Sequence, residues 1–258
     1  MSCTELSALE PLAGTASVAT SFLLLEHSGR WGRDALDGTD LPEAAHAAAE
    51  GFDGRVLLIR RPDRAQYSDA VFTATATPQG GVLRSRGTPV AGPLLLVCVH
   101  GRRDRCCARL GVPLYDAIAP HVEAERLWQS SHHGGHRFAA NLLVLPAGIQ
   151  LGRVQPHDAQ EVAACVLDGR IPLRFYRGRT LDAPRAQAAD AEVRRALALD
   201  RIDDVRPLRD DGQIVEVAIP GGVARVRVDE TDGPLLPASC GAEPEPTRRL
   251  IAHVESLP

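Results

Sequence analysis

One continuous apolar run, Leu94-Leu95-Leu96-Val97-Cys98, lies near the middle of the 258-residue chain. A strand covered on both faces of a sheet has such a run, whereas a half-exposed strand alternates apolar and polar residues. The run leads directly into Val99-His100-Gly101, and the glycine marks the end of the strand pattern. The stretch therefore predicts a buried central strand, and its flanking segments indicate what surrounds that strand.

The segments after the central run alternate in type. Residues 106–119 are predicted to form a helix that Pro113 divides, because proline lacks the N–H group that an interior helical position uses. Two further strands and a second helix are predicted at 138–145, 149–154 and 156–167. This alternation of strands and helices is typical of a layered α/β sheet.

The first third of the chain shows the same order of elements. Its predicted strand, helix, strand and hairpin lie at 21–26, 41–51, 55–60 and 71–86. The first dozen residues are expected to form a poorly ordered arm. The middle third thus repeats the order of the first third, although the two do not repeat each other's sequence.

The composition of the chain changes beyond residue 170. An Ala- and Arg-rich segment, 183–199, predicts a helix, and 213–228 alternates apolar and polar residues across Pro220-Gly221, which predicts a hairpin. We therefore expect a smaller α+β region after the layered sheet. The predicted regions are 10–172, composed of an N-terminal half 15–88 and a second half 89–172, and an accessory region 173–258.

Composition and charge limit the possible functions. Apolar residues make up 44% of the chain and charged residues 24%, as in ordinary globular proteins. The net charge of -4 gives no sign of nucleic-acid binding. No segment approaches the roughly 20 apolar residues that span a bilayer, and Glu5 and Glu10 stand where a signal peptide would be positively charged. We expect a soluble cytoplasmic protein without nucleic-acid or membrane partners.

Six cysteines are scattered along the chain, which does not suggest the disulfide framework of a small secreted protein. In a cytoplasmic protein, such cysteines direct attention to metal or redox chemistry. Cys3, Cys165 and Cys240 have no cysteine or histidine neighbours in the sequence and are expected to be structural.

Two short stretches carry most of the potential metal ligands. The first runs from Cys98 to Cys107 and the second is His132-His133-Gly134-Gly135-His136. Each adjoins a predicted strand, and ligand sites of open α/β sheets collect at strand ends. The Gly-Gly pair disfavours a helix and predicts a tight loop that folds closely around something. Two cysteines with two histidines suit tetrahedral zinc or a two-iron cluster, and spacing alone favours zinc.

The same stretches resemble the signature of the sucrase/ferredoxin-like family. They read Cys98-x-His100-Gly101-x-Arg103-Asp104-x-x-Cys107 and Ser131-His132-x-Gly134-Gly135-His136-Arg137-Phe138-Ala139, and the resemblance extends over roughly residues 10 to 170. It implies a thioredoxin-like ferredoxin fold. In members with the His-x-x-x-His form, it also implies a [2Fe-2S] cluster held by two cysteines and two histidines.

Carried over by motif position, the implied ligands are Cys98, Cys107, His132 and His136. Cys106 adjoins Cys107, so the second cysteine ligand is ambiguous by one residue, and the family spacing favours Cys107. The word "sucrase" is not supported by the sequence. No pair of carboxylates stands out as acid and base, and the aromatic content of 4% is low for a protein that stacks sugars.

The resemblance implies an electron carrier that serves a redox partner protein, rather than an enzyme in its own right. Each imidazole ligand has a second nitrogen that exchanges a proton, so electron transfer is expected to be coupled to proton transfer. Two alternatives stay open, namely a structural zinc protein with the same four ligands and a redox enzyme that reduces a small substrate through the cluster.

Four arginines flank the implied ligands: Arg102, Arg103, Arg105 and Arg137. This set, which we call the basic collar, would stabilise cluster charge or attract an acidic redox partner. The alternative is a solvated surface in which Asp104 pairs with an arginine.

Overall fold

The computed structural model describes residues 2–62 and 70–258. The strands are β1 (Ser21–Glu26), β2 (Arg55–Arg60), β3 (Val71–Thr75), β4 (Val82–Ser85), β5 (Thr88–Pro89), β6 (Leu94–Cys98), β7 (Leu127–Ser130), β8 (Leu142–Leu145), β9 (Ile149–Leu151), β10 (Tyr176–Arg179), β11 (Arg206–Asp210), β12 (Ile214–Ile219), β13 (Gly222–Pro237) and β14 (Pro244–Ser256). The α-helices are α1 (Cys3–Leu6), α2 (Glu43–Glu50), α3 (Arg105–Ile118), α4 (Ala159–Leu167) and α5 (Pro184–Leu197). Short 3-10 helices cover Ala119–His121, Ala124–Arg126, His136–Phe138, Pro156–Asp158, Leu173–Phe175 and Ile202–Asp204.

Strand β6 lies inside a ten-stranded sheet of order β10-β9-β8-β6-β7-β2-β1-β3-β4-β5. All five of its residues are buried. Leu95 and Val97 point into the hydrophobic core on one face of the sheet, whereas Leu94 and Leu96 belong to the core on the other. Burial on both faces explains why the run is apolar at every position, and it confirms the predicted central strand.

The sheet is built from two halves with the same topology. In the first, β1 lies between β2, which is parallel to it, and β3, which is antiparallel, and β4 follows β3. In the second, β6 lies between parallel β7 and antiparallel β8, and β9 follows β8. The predicted repetition of order and the predicted thioredoxin-like α/β class are therefore confirmed.

The two halves meet in the middle of the sheet, where β2 and β7 pair antiparallel. Ile59 lies opposite Ser130, and Arg60 lies opposite Gln129. Helices α3 and α4 cover one face next to the second half, and their apolar residues join the larger core cluster. The ends of β6 and β7 and the start of α3 are thereby held in fixed relation.

The C-terminal residues form a separate four-stranded antiparallel sheet of order β11-β12-β13-β14. Helix α5 packs on it through Ala189 and Val193, which join Val215, Val217 and Val226 in a third hydrophobic cluster. This confirms the predicted smaller α+β region. Strand β10 lies beyond residue 172 yet pairs with β9 of the large sheet, and the predicted boundary between the regions stays a prediction.

Two expectations about helices are wrong. Helix α3 continues through Pro113. The carbonyl that lacks an N–H partner there belongs to the exposed Arg109, where solvent can satisfy it. The first residues are not a loose arm, because Ser2 and Glu5 form a capping box that starts α1, and Cys3 is buried.

Among the helices of residues 2–62 and 70–258, none is both long and apolar enough to span a bilayer.

A buried arginine fixes the end of α5. The guanidinium of Arg194 pairs with Asp190 at 3.0 Å, and both side chains are fully buried. Arg194 also donates hydrogen bonds to four backbone carbonyls, those of Leu199, Arg201, Ile202 and Val205. Removing the guanidinium would leave a carboxylate and four carbonyls without these partners in the interior.

We expect Arg194→Met to lower the free energy of unfolding by about 3–5 kcal/mol, the usual cost of breaking a buried ion pair from one side. The neighbouring Arg195 is a matched control, because it is exposed and pairs with Glu192 on the helix surface. Arg195→Met is expected to cost less than about 1 kcal/mol. Urea unfolding of both variants measures the difference, and equal losses would contradict the anchoring role of Arg194.

Candidate metal centre

Cys98 and Cys107 approach each other at the junction of β6 and α3. Cys98 is the last residue of the strand, and Cys107 lies in the first turn of the helix. Asp104 caps this helix by accepting the N–H of Cys106 at 2.8 Å. Both thiols are buried, with exposures of 1% and 0%. A hydrogen bond between them lowers the pKa of Cys98 well below its ordinary value and raises the pKa of Cys107.

His132 completes a group of three donor atoms. Its Nδ1 lies 3.8 Å from the Cys98 sulfur and 3.7 Å from the Cys107 sulfur. The three atoms all lie within 4.8 Å of one another. Thiols and imidazoles are the ligands of zinc, copper(I) and iron–sulfur clusters.

His136 stands one ring further out. Its Nδ1 lies 3.4 Å from His132 Nε2, and the two ring centroids are 5.1 Å apart. Its Nε2 contacts the carbonyl oxygen of Ala238. A carbonyl only accepts hydrogen bonds, so Nε2 carries the proton and Nδ1 of the neutral ring keeps its lone pair. Burial lowers the pKa of His136, although the bond to Ala238 opposes this shift, and a neutral ring is the form that binds metal.

The loop that carries these histidines is held by its carbonyl groups. The carbonyl of His133 accepts hydrogen bonds of 2.9 Å from both Arg55 and Gln150. The next two carbonyls, of Gly134 and Gly135, accept from Arg177 at 3.1 Å and from Asn141 at 2.9 Å. These donors come from β2, β9, β10 and the residue before β8, so several strands fix one short loop.

The two glycines of the loop are required by its backbone. Gly134 and Gly135 have φ angles of +104° and +71°, which other residues rarely adopt. A Cβ atom on Gly135 would overlap the guanidinium of Arg177, and one on Gly134 would overlap Ser17. The loop therefore folds tightly around Arg177 and Ser17, two residues that no sequence motif indicated.

Two other histidines near the centre have different roles. His100 Nε2 donates to the carbonyl of Gly32 at 2.7 Å, and its Nδ1 accepts the N–H of His132 at 3.3 Å. With both nitrogens engaged, His100 positions His132. His133 is fully buried, and among the described residues neither of its nitrogens has a hydrogen-bond partner. Burial lowers its pKa to about 4, which keeps the ring neutral.

Cys106 does not join Cys98 and His132. Its sulfur lies 3.6 Å from that of Cys3 and 3.3 Å from that of Cys240. Cys3 and Cys240, which have no cysteine neighbours in the sequence, meet Cys106 because the fold joins segments far apart in the chain. Cys165 lies in α4, outside both cysteine groups found in the described part of the chain.

The basic collar is divided in the structure. Arg103 pairs with Asp34, and Arg137 pairs with the buried Glu10 at 2.9 Å. Arg102 and Arg105 are exposed. The alternative pairing of Asp104 with an arginine is wrong, because within residues 2–62 and 70–258 its oxygens accept the N–H groups of Cys106 and Cys240.

We expect Gly135→Ala to destabilise the protein and reduce its bound metal, because the added methyl group displaces Arg177. Gly87 is a matched control with a φ of +85° and nothing within 4 Å of the added Cβ. Gly87→Ala should cost about 1–2 kcal/mol from backbone strain alone, and Gly135→Ala should cost more. Urea unfolding and metal analysis of both variants test this expectation. Equal losses would show that contact with Arg177 is unimportant.

Comparison with known proteins gives a family and partial relatives. The family model described as sucrase/ferredoxin-like matches residues 12–178. "Altered inheritance of mitochondria protein 32" from Clavispora lusitaniae is 31% identical over 131 residues, which are 45% of this chain and 48% of that protein. The protein of the same name from Debaryomyces hansenii is 34% identical over 95 residues, covering 33% of this chain and 35% of that protein. The matches thus span about half or less of these relatives.

Among solved structures, the Cys55Ser variant of the thioredoxin-like [2Fe-2S] ferredoxin from Aquifex aeolicus is similar, with 18% identity and a TM-score of 0.29. The match covers 33% of this chain and 96% of that ferredoxin. The family model, in contrast, spans more than half of this chain and includes all four implied ligands. This chain belongs to the sucrase/ferredoxin-like family.

Proposed function

We propose that this protein transfers electrons through a [2Fe-2S] cluster held by Cys98, Cys107, His132 and His136. The observation that carries the proposal is the convergence of two buried sulfurs and His132 Nδ1 within 4.8 Å. His136 stands directly beside His132. Family membership supports the same assignment.

The donor set fits such a cluster. Cys98 and Cys107 lie side by side, as two ligands of one iron would, and the adjacent rings of His132 and His136 supply two imidazoles for the other. Nδ1 is the available nitrogen of His136, because Nε2 is turned to Ala238. When bound, the cluster would accept and release one electron at a higher potential than an all-thiolate cluster.

The protein gives the two kinds of ligand different surroundings. Cys98 and Cys107 are buried, whereas His132 and His136 are partly exposed. Electrons would therefore enter and leave on the histidine side, where solvent protons are also accessible. His136 Nε2 donates a hydrogen bond to the Ala238 carbonyl, so Nε2 is the nitrogen whose proton would be exchanged. This arrangement supports coupling of electron transfer to proton transfer at His136.

The exposed Arg102 lies on the connection between β6 and α3, and the exposed Arg105 is the first residue of α3. They support docking of an acidic redox partner, since positive charge steers such an encounter. Arg103 and Arg137 are engaged with Asp34 and Glu10 and contribute less. Cytoplasmic location, and the expected lack of nucleic-acid and membrane partners, remain predictions from composition.

The absorption spectrum and the iron and sulfide contents of the full chain, purified without oxygen, test whether the protein holds the cluster. We expect visible absorption, with iron and acid-labile sulfide in equal amounts. Cys98→Ser should abolish or greatly reduce the colour, whereas Cys165→Ser, a buried cysteine outside the centre, should leave it unchanged. Replacing His132 and His136 by cysteine should retain a cluster with a shifted spectrum. A colourless protein with zinc bound by these four residues would instead be a structural zinc protein.

Proton coupling predicts a pH-dependent midpoint potential. Reduction adds negative charge and strengthens proton binding at the imidazoles, so raising the pH disfavours reduction and the potential falls. The slope approaches about 59 mV per pH unit where one proton accompanies one electron. His136→Cys should flatten the curve by removing one of the two rings. Electrochemical titration from pH 6 to 10 measures it, and a potential that stays constant in the unaltered protein rules the coupling out.

A further inference from the structure

A second group of sulfurs includes that of Cys106, the residue next to Cys107 of the first centre. The sulfurs of Cys3, Cys106 and Cys240 form a triangle with sides of 3.6, 3.3 and 3.4 Å. Cys3 begins α1, Cys106 lies in the first turn of α3, and Cys240 lies in the connection between β13 and β14. Contacts between Cys3 and Cys240 join positions 237 residues apart. Three cysteines from three distant segments therefore meet at one point.

The size of the triangle suits one metal ion. Tetrahedral zinc with zinc–sulfur bonds of about 2.3 Å holds its sulfurs about 3.8 Å apart. The observed sides of 3.3–3.6 Å are close to this value. A [2Fe-2S] cluster takes two protein ligands on each iron, so three sulfurs that converge on one point suit a single ion better. All three cysteines are free thiols in the structure.

Asp104 provides the fourth donor. Its two oxygens lie 3.9 and 3.8 Å from the Cys3 sulfur, and Asp104 belongs to the same group of convergent atoms. The oxygens accept the N–H groups of Cys106 at 2.8 Å and of Cys240 at 2.7 Å. A carboxylate oxygen has a further lone pair for a metal. The hydrogen bonds thus aim the carboxylate as the partners of metal ligands usually do.

The surroundings are appropriate for an ion with anionic ligands. Cys3, Asp104 and Cys106 are buried, whereas Cys240 is partly exposed and leaves a way in. Asp104 and Cys106 also lie at the N-terminus of the 14-residue helix α3, whose dipole favours negative charge there. Binding would release three thiol protons to solvent and leave three thiolates and one carboxylate around a divalent ion.

We propose that Cys3, Cys106, Cys240 and Asp104 bind one structural zinc ion, separate from the centre formed by Cys98, Cys107, His132 and His136. Three thiolates with one carboxylate are a donor set that zinc accepts in a closed tetrahedral site. The ion would join the start of the chain, helix α3 and the β13–β14 connection. It would also hold Ala238, two residues before Cys240, where its carbonyl contacts His136.

Zinc and iron contents of the full chain test the proposal, after growth in medium that contains both metals. We expect about one zinc per chain in the unaltered protein. Cys3→Ser should lower zinc at least tenfold and leave the iron content unchanged, and Cys240→Ser should lower zinc to the same extent. Cys165→Ser is the matched control and should retain both metals, because Cys165 is buried in α4 away from both groups.

X-ray absorption at the zinc edge gives a second test that needs no variant and ignores iron. Three sulfurs at about 2.3 Å and one oxygen around zinc would support the site. Two sulfurs with two nitrogens would place zinc at the first centre and overturn the proposal. Unaltered protein without zinc, zinc that persists in Cys240→Ser, or a disulfide between any two of the three cysteines would also overturn it.

The two proposals fail independently in these measurements. Zinc in the three-sulfur environment without iron would support the second site and contradict the electron-transfer function. Iron with sulfide but without zinc would support the electron-transfer function and contradict the second site.

Discussion

The buried guanidinium of Arg177 ties together segments that are distant in the chain. It comes from β10 and donates to the Thr15 hydroxyl at 3.0 Å, to the Gly134 carbonyl at 3.1 Å and to the Asn141 side chain at 3.0 Å. Burial lowers its pKa to about 9, and a negative charge on Cys98 opposes that shift. Among the described residues it has no carboxylate within ion-pair distance. The histidine loop is thus built on a buried cation, and a negative charge on Cys98 favours the charged form of that cation.

This arrangement links the stability of the fold to the chemistry of the centre. Removal of negative charge from Cys98 would leave Arg177 with neutral hydrogen-bond acceptors alone, and a buried charge without compensation is costly. The loop of His132 and His136 depends on the same guanidinium for its shape. The shape of the histidine loop and the charge balance around Cys98 therefore depend in part on a side chain from outside the two motif stretches.

The sequence predicted elements well where burial follows the chemistry of the residues, as in the apolar run of β6. It did not predict β7 or β10, which bury Gln129, Arg177 and Arg179. Polar residues enter a core only when partners satisfy them, and those partners come from remote segments. The predicted strand 138–145 likewise begins only at Leu142, because residues before it form the turn behind the histidine loop.

The candidate ligands were predicted from the resemblance of two motifs, and whether all four bind metal stays a prediction. Cys106 stood beside Cys107 as an alternative ligand that only the family spacing disfavoured, although adjacent residues on a helix point in directions about 100° apart. Nor could spacing reveal that His100 is engaged by Gly32, or that Cys3 meets Cys240.

The pairing of β2 with β7 has a final consequence for assembly. Each half alone would expose an open strand edge able to recruit other chains. The pairing of β2 with β7 covers both of these edges. At the β5 end of the sheet, the edge is a strand of only two residues that finishes in Pro89.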